Sequence, residues 1–276
     1  MKINCVIVTY NRLSLLKECI SALKNQTYKI NKIYIINNNS TDGTSDYLQE
    51  LIADSQFVII NLPQNIGGAG GFSEGIKRVV LDGCDWAWIM DDDTIPMNNA
   101  LEELVKGTTV TKNVGYVCSR VVWTDGMIHK MNIPRFDCEN KQHLPINYYS
   151  NLADVLLIRA ASFVSLLINS KAVREVGLPI KEFFIWGDDT EFTTRIYQHG
   201  YVCLYASQST VIHKTTENYI SQLQNAPVEA LWKFQYGFRN DIFLRRMRKK
   251  NFLFFISVIN AYRRAVRHIN KRPRNF

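Results

Sequence analysis

No apolar run in this 276-residue chain approaches the roughly 18 residues needed to cross a membrane as a helix, so a membrane-spanning protein is not expected. The N-terminus, MKINCVIVTYNR, lacks the long apolar core and small-residue cleavage site of a secretory signal; the expected location is the cytoplasm. Among its six cysteines, Cys5, Cys19, Cys84, Cys118, Cys138 and Cys203, there is no Cys-x-x-Cys pair. That spacing argues against a zinc site or a disulfide framework and for reduced, buried thiols. Internal repeats and low-complexity segments are missing as well. Acidic residues are absent from 242–276, a stretch with 11 Lys and Arg, which leaves 22 basic and 25 acidic residues in 1–241, a net of −3. The overall charge of +8 thus belongs to the tail, and a nucleic-acid partner for the body loses its support.

What remains is an ordinary folded composition, 46% hydrophobic and 21% charged, with a clear alternation of periods. Buried-strand patterns at Ile3–Tyr10, Lys32–Ile36, Phe57–Leu62 and Trp86–Met90 alternate with helical patterns from Ser14, from about Ser45 to Ala53 and from about Gly70 to Leu81. That order predicts a mainly parallel, Rossmann-like α/β sheet with helices on both faces. Ligands of such sheets bind outside the carboxyl ends of the strands. The polar stretches Thr9–Arg12, Asn37–Asp42 and Asp91–Asp93 all follow strand ends, so they are expected to share one edge. Beyond Pro96 come a helix (about Asn98–Gly107), a strand at Val114–Trp123, a loop-like stretch over Asp125–Asn151, mixed patterns to Gly177, and a second acidic cluster, WGDDTEF, at Trp186–Phe192.

Three adjacent carboxylates at the end of a buried strand require a positive partner. Successive residues of an extended segment point to opposite sides, which groups Asp91 with Asp93 and sets Asp92 apart. Two carboxylates on one side suit a hard divalent cation, Mg2+ or Mn2+; the bland alternative is a solvated acidic turn. For Asp42 the competing readings are a turn and capping residue or a ligand contact. NIGGAGGF (Asn65–Phe72) has no GxGxxG spacing and follows the third strand, so it reads either as backbone closely approached by phosphate or as a close-packed helix start. The second acidic cluster reads as favourable negative charge at a helix N-terminus, as a proton acceptor, or as both. His129, His143, His199 and His268 have no motif around them.

Taken in order, VTYNR, NNNSTDGT, NIGGAGGF, DDD, WGDDTEF and VIHK resemble the motifs of family 2 glycosyltransferases with the GT-A fold. Within that family they look most like the galactofuranosyltransferases. The resemblance covers about residues 3–215. It implies that Thr9, Tyr10 and Arg12 flank the nucleobase, with Asn37 standing where the family usually has an aspartate that reads the base. It further implies donor sugar and diphosphate contacts at Asn65, Gly67, Gly68, Gly70, Gly71 and Asp92, and a divalent cation (Mn2+ or Mg2+) held by Asp91, Asp93 and His213. Asp189 becomes the catalytic base, Asp188 beside it orients the acceptor, and Trp186 offers an aromatic face to a sugar.

The implied activity is inverting transfer of a hexose, galactofuranose from UDP-galactofuranose, to a glycan or lipid-linked acceptor of bacterial cell-surface polysaccharide such as O-antigen. A rhamnosyltransferase of the same fold is the near alternative. A nucleotidyltransferase is the distant one, without the basic triphosphate-binding loop it needs. The expected organisation is a catalytic domain over 1–217, with a nucleotide-sugar half (1–96) and an acceptor half (97–217), then a basic helical region over 218–276. In that tail Phe252, Phe255, Ile259, Tyr262, Val266 and Ile269 fall at helical spacing among Arg263, Arg264 and Arg267. Such a helix packs on its own domain or a twin subunit, or lies on an anionic membrane through 242–276. The membrane alternative places the protein at the inner face of the cell membrane.

Overall fold

A computed structural model describes residues 1–137, 144–248 and 251–271, with the side chains of 248, 251, 264, 265 and 268–271 left outside the description. Cys138 and His143, and the side chains of Arg264, His268 and Ile269, fall outside the described residues. The elements are β1 (Ile3–Thr9), α1 (Leu13–Lys24), β2 (Lys32–Asn37), α2 (Thr44–Leu51), β3 (Phe57–Asn61), α3 (Gly67–Leu81), β4 (Trp86–Asp91), β5 (Thr94–Pro96), α4 (Ala100–Gly107) and β6 (Val114–Val122). They continue with β7 (Arg135–Phe136), α5 (Ser150–Ala153), β8 (Val155–Ala160), β9 (Leu166–Asn169), α6 (Ser170–Val176), α7 (Asp188–Gln198), β10 (Val202–His213), α8 (Lys233–Arg248) and α9 (Asn251–Lys271).

The strands form one sheet in the order β3-β2-β1-β4-β9-β6-β10-β8-β7, with β5 paired to β10. Its first four strands are parallel, as expected from the helix-strand alternation. The second half is mixed, because β9 runs antiparallel to both β4 and β6 while β10 runs parallel to β6. Two antiparallel steps restore the original direction. The carboxyl end of β10 therefore lands on the same edge as those of β1, β2 and β4.

Alternation along each strand builds two cores. Cys5, Ile7, Ile33, Ile35, Trp88 and Met90 face one way, against Leu16, Ile20 and Leu23 of α1 and Leu101 and Leu104 of α4. Val6, Val8, Ile36, Ala87 and Ile89 face the other, against Phe72, Ile76 and Val79 of α3 and Phe192 and Ile196 of α7. All five described cysteines are free and buried in these layers, as the scattered spacing implied.

Several boundaries depart from the sequence pattern. Helix α1 starts at Leu13 behind a non-capping Arg12, and its first N–H is satisfied from outside, by Asp42 Oδ2 at 3.0 Å. Asp42 Oδ1 also accepts from the Thr44 hydroxyl (2.6 Å) and N–H (3.2 Å) at the start of α2. One carboxylate thus serves two helix starts, a role worth about 1 kcal/mol per cap. Its pKa is lowered: the hydrogen bonds from Thr44 and Leu13 outweigh the opposing effect of burial. Helix α3 takes in the whole glycine run from Gly67, three residues earlier than the pattern suggested. No described helix is long and apolar enough to cross a membrane.

Candidate active site

Strand β4 ends at Asp91, and Asp92 and Asp93 form the turn that follows it. The Thr9 hydroxyl donates to Asp92 Oδ2 at 2.7 Å and the Tyr10 N–H reaches the same oxygen at 3.4 Å. Arg12 donates to Asp92 Oδ1 at 3.4 Å and makes a shorter contact with Asp93 Oδ2. Asp92, expected to contact the donor, is buried against its own chain and tethers Thr9 and Arg12.

The route by which His213 reaches Asp93 is the pairing of β5 with β10, which sets His213 opposite Thr94. The Lys214 N–H donates to the Asp93 carbonyl at 2.8 Å. Among the described residues Asp91, Asp93 and His213 form a cluster whose ligand atoms lie within 4.8 Å of one another. His213 Nδ1 faces Asn132 Oδ1 at 2.8 Å, and Asn132 Nδ2 is itself fixed by donating to the Ser162 hydroxyl at 2.9 Å. An amide oxygen accepts, so Nδ1 carries the hydrogen and, in the neutral ring, the Nε2 lone pair is left toward the carboxylates. Asp93 Oδ1 lies 3.1 Å from that Nε2 but off the hydrogen-bond line, a buried oxygen without a hydrogen-bond partner. Leaving it so costs on the order of 1–3 kcal/mol. Two carboxylate oxygens and one imidazole nitrogen at this spacing fit a divalent cation of the Mn2+ or Mg2+ kind.

The electrostatics answer what balances three carboxylates. Burial, then Asp93, pushes the Asp91 carboxyl above the usual range, against the pull of His213, Arg12 and Lys233. Burial likewise raises Asp92, with Arg12 opposing. At Asp93 burial is outweighed by His213 and Arg12, which hold it well below that range. Burial would lower the His213 imidazole, but Asp93 and Asp91 overcome it and raise it. The cations that meet the cluster are Arg12 and Lys233.

Helix α7 supplies the second acidic pair. It is preceded by left-handed backbone at Phe184 (φ 64°), Trp186 (φ 66°) and Gly187 (φ 89°), which costs about 1–3 kcal/mol at each non-glycine position. Negative charge in its first turn, from Asp188, Asp189 and Glu191, is favoured by the helix dipole. Glu191 is spent on Arg195 (2.8 Å). Burial, then Asp189, raises Asp188 far above the carboxylate range. Burial also raises Asp189, with the Thr190 N–H opposing.

These groups line one cleft of about 810 Å³, shared by Arg12, Gly68, Asp91, Asp93, His213, Trp186, Asp188 and Asp189. The remaining expected donor contacts lie outside its lining, each for a local reason. The Asn37 amide is consumed internally, donating to Asn61 (2.9 Å) and Ser45 (3.0 Å) and accepting from the Ser40 N–H (3.0 Å). Asn65 caps α3 by accepting from the Gly67 N–H at 2.8 Å. A Cβ on Gly67 would come 2.1 Å from the Phe184 carbonyl oxygen, one on Gly70 2.6 Å from Ile66, and one on Gly71 2.5 Å from Val8. Those three glycines serve packing. Thr9 is buried on Asp92 and Tyr10 is exposed outside the cleft.

Other cleft residues carried no signal in the sequence. Arg135 and Asn132 come from the loop-like stretch, and Lys233, Asn240, Asp241 and Arg245 come from α8, on the far side of the boundary expected near residue 218. His129 stands in no sequence motif. It is fully buried, its ring lies 4.5 Å from that of His213, and its Nε2 meets the Thr215 hydroxyl at 2.8 Å. Burial, then His213, brings its pKa down to about 4, so a neutral ring packs against His213. An isolated histidine has no period, and only the tertiary pairing reveals it.

Comparison with known proteins is consistent with this geometry. Residues 5–177 match the family model described as Glycosyl transferase family 2. The chain is 26% identical over 213 residues to the galactofuranosyltransferase GlfT1 of Mycolicibacterium smegmatis, covering 73% of this chain and 68% of that protein. It is 24% identical to the protein of the same name from Mycobacterium tuberculosis (strain CDC 1551 / Oshkosh), covering 71% and 64%. The match thus spans about two thirds of these relatives' length. In fold it resembles the crystal structure of GalNAc-T7 with UDP, GalNAc and Mn2+, at a TM-score of 0.62 and 16% identity over 78% of this chain and 44% of that one.

Proposed function

The chain belongs to glycosyl transferase family 2, and from that premise we propose that it is an inverting, metal-dependent galactofuranosyltransferase acting on a lipid-linked glycan of the bacterial cell surface. The observation that carries the proposal is the meeting of Asp91, Asp93 and His213 with the buried pair Asp188–Asp189 in one cleft. Support for the sugar comes from the named relatives.

In this proposal Asp189 takes the proton from an acceptor hydroxyl as its oxygen attacks the anomeric carbon. The bonding pair of the glycosidic C–O bond leaves with the nucleoside diphosphate, and the configuration at carbon inverts. Arg12 and Lys233 oppose the charge that develops on the leaving group. Asp188, beside the base, orients the acceptor. Trp186 presents a ring to the sugar. Asp91, Asp93 and His213 would hold a Mn2+ or Mg2+ ion, which when bound would supply Lewis-acid neutralisation of the diphosphate.

The acceptor's lipid is proposed from the C-terminal helices, whose exposed apolar and basic side chains suit the anionic inner face of the cell membrane. The base assignment is tested with Asp189→Asn. Sugar transfer should fall by about 100-fold or more while UDP and Mn2+ affinities stay at wild-type values. Undiminished transfer would remove Asp189 as the base.

A further inference from the structure

The segment Phe183–Gly187 that delivers the acidic pair is held out of ordinary backbone geometry, and two elements grip it. From one side the Ala69 N–H at the start of α3 donates to the Phe184 carbonyl at 3.1 Å, and Gly67, itself at φ +76°, leaves room where any Cβ would strike that carbonyl. From the other side comes α8. Asn240 is buried to 2% exposure, and its Nδ2 faces the carbonyls of Phe183 (3.0 Å), Ile185 (3.1 Å) and Trp186 (2.7 Å), two N–H bonds shared among three oxygens.

Arg239 fixes which way that amide points. Its Nε and Nη2 donate to Asn240 Oδ1, each at 3.0 Å, and Nη2 also reaches the carbonyls of Glu182 (2.7 Å) and Phe183 (2.9 Å). Ring contacts follow the same seam: Phe184 stacks on Tyr236 at 4.8 Å and Trp186 meets Phe234 edge-on at 4.7 Å.

We propose that Asn240 is a positioning residue for the reaction, a latch by which α8 holds the Phe183–Gly187 segment so that α7 opens with Asp188 and Asp189 at the cleft. The C-terminal region is then part of the active site rather than an appendage to it. This inference rests on the assignment of Asp189 as the base. Its energetic logic is that a base misplaced by about 1 Å loses on the order of 100-fold in rate while remote binding survives. The Asp91–Asp93–His213 cluster shares no hydrogen bond with the latch.

The test uses the full chain with Asn240→Asp, which keeps the shape and removes both donors, Asn240→Ala, which adds no charge, and Arg239→Ala, which removes only the outer half of the latch. Mn2+ affinity is read by electron paramagnetic resonance, backbone exchange by deuterium uptake, and kcat and KM with UDP-galactofuranose. The expected result is a kcat loss of about 10- to 100-fold in the Asn240 variants, with Mn2+ affinity and donor KM near wild type. Uptake should rise in a window confined to residues 182–190, and more weakly in Arg239→Ala. Wild-type kcat with unchanged uptake overturns the latch, and so does uptake rising across the whole chain, which would make the contact general core. Full transfer in Asp189→Asn would instead sink the base assignment. The exchange window reads the latch whichever sugar nucleotide the enzyme turns over.

Discussion

Burial at Asp188 fixes both its chemistry and its cost. Its folded-state pKa is raised well above the ordinary 3.8, by burial first and Asp189 second. A carboxyl raised on folding contributes stability that is full below the unfolded value and is lost as pH rises through the folded one. Asp188→Asn removes that loss. The variant should therefore unfold at a higher temperature than wild type at pH 7.5, with the gap narrowing as pH falls toward 3.8. A gap that widens toward acid would mean that Asp188 is held ionised. At this scale the carboxylates could be read from the chain as a tandem run at the end of a buried strand, although the strand itself stops at Asp91 and a turn carries Asp92 and Asp93. The fates of Thr9, Asn37 and Asp92 could not, since each is decided by hydrogen bonds to residues far along the chain.

Among the elements, α3 shows how one motif serves two purposes. Gly71 and Gly75 bring the helix against β1, where a Cβ would stand 2.5 Å from Val8 and 2.3 Å from Val6; Gly68 has nothing within 4 Å of its Cβ position and opens on the cleft. Gly71→Ala should lower stability by about 1–3 kcal/mol in urea unfolding, even after the roughly 1 kcal/mol that alanine gains in a helix. Gly68→Ala should leave the urea midpoint at or above wild type. Equal loss at both sites would contradict the division. The βα alternation of the first 96 residues was legible because each element carries its own period. Strand β5, three residues long, and the turn back of Ile128 onto Val122 have too few residues to show one. They are what bring His213 and His129 to the cluster.

In the whole molecule the −3 body and the basic tail meet at α8, which lines the cleft on one side and packs beside α9 on the other, with Arg246 over the Phe254 ring at 5.7 Å. Phe252, Phe255, Ile259 and Tyr262 are exposed along α9 together with Arg263 and Arg267. The basic charge was visible in composition; its position at the cleft was not, because helix packing leaves no mark in charge counts. The chain should sediment with vesicles containing anionic lipid and not with zwitterionic ones, and release them as salt shortens the screening length. Phe252→Gln with Phe255→Gln should weaken that binding at least tenfold, about 1.4 kcal/mol. Indifference to lipid charge, or self-association abolished by the same changes, would assign the surface to another partner.

Metal-assisted transfer from one particular sugar nucleotide is tested most directly by diphosphate release from a donor panel. With Mn2+ and a membrane-extracted lipid acceptor, UDP release from UDP-galactofuranose is expected to exceed dTDP release from dTDP-rhamnose, to stop with chelator and to be lost in Asp91→Asn. Turnover of dTDP-rhamnose without UDP-galactofuranose, or full activity in chelator, would contradict it.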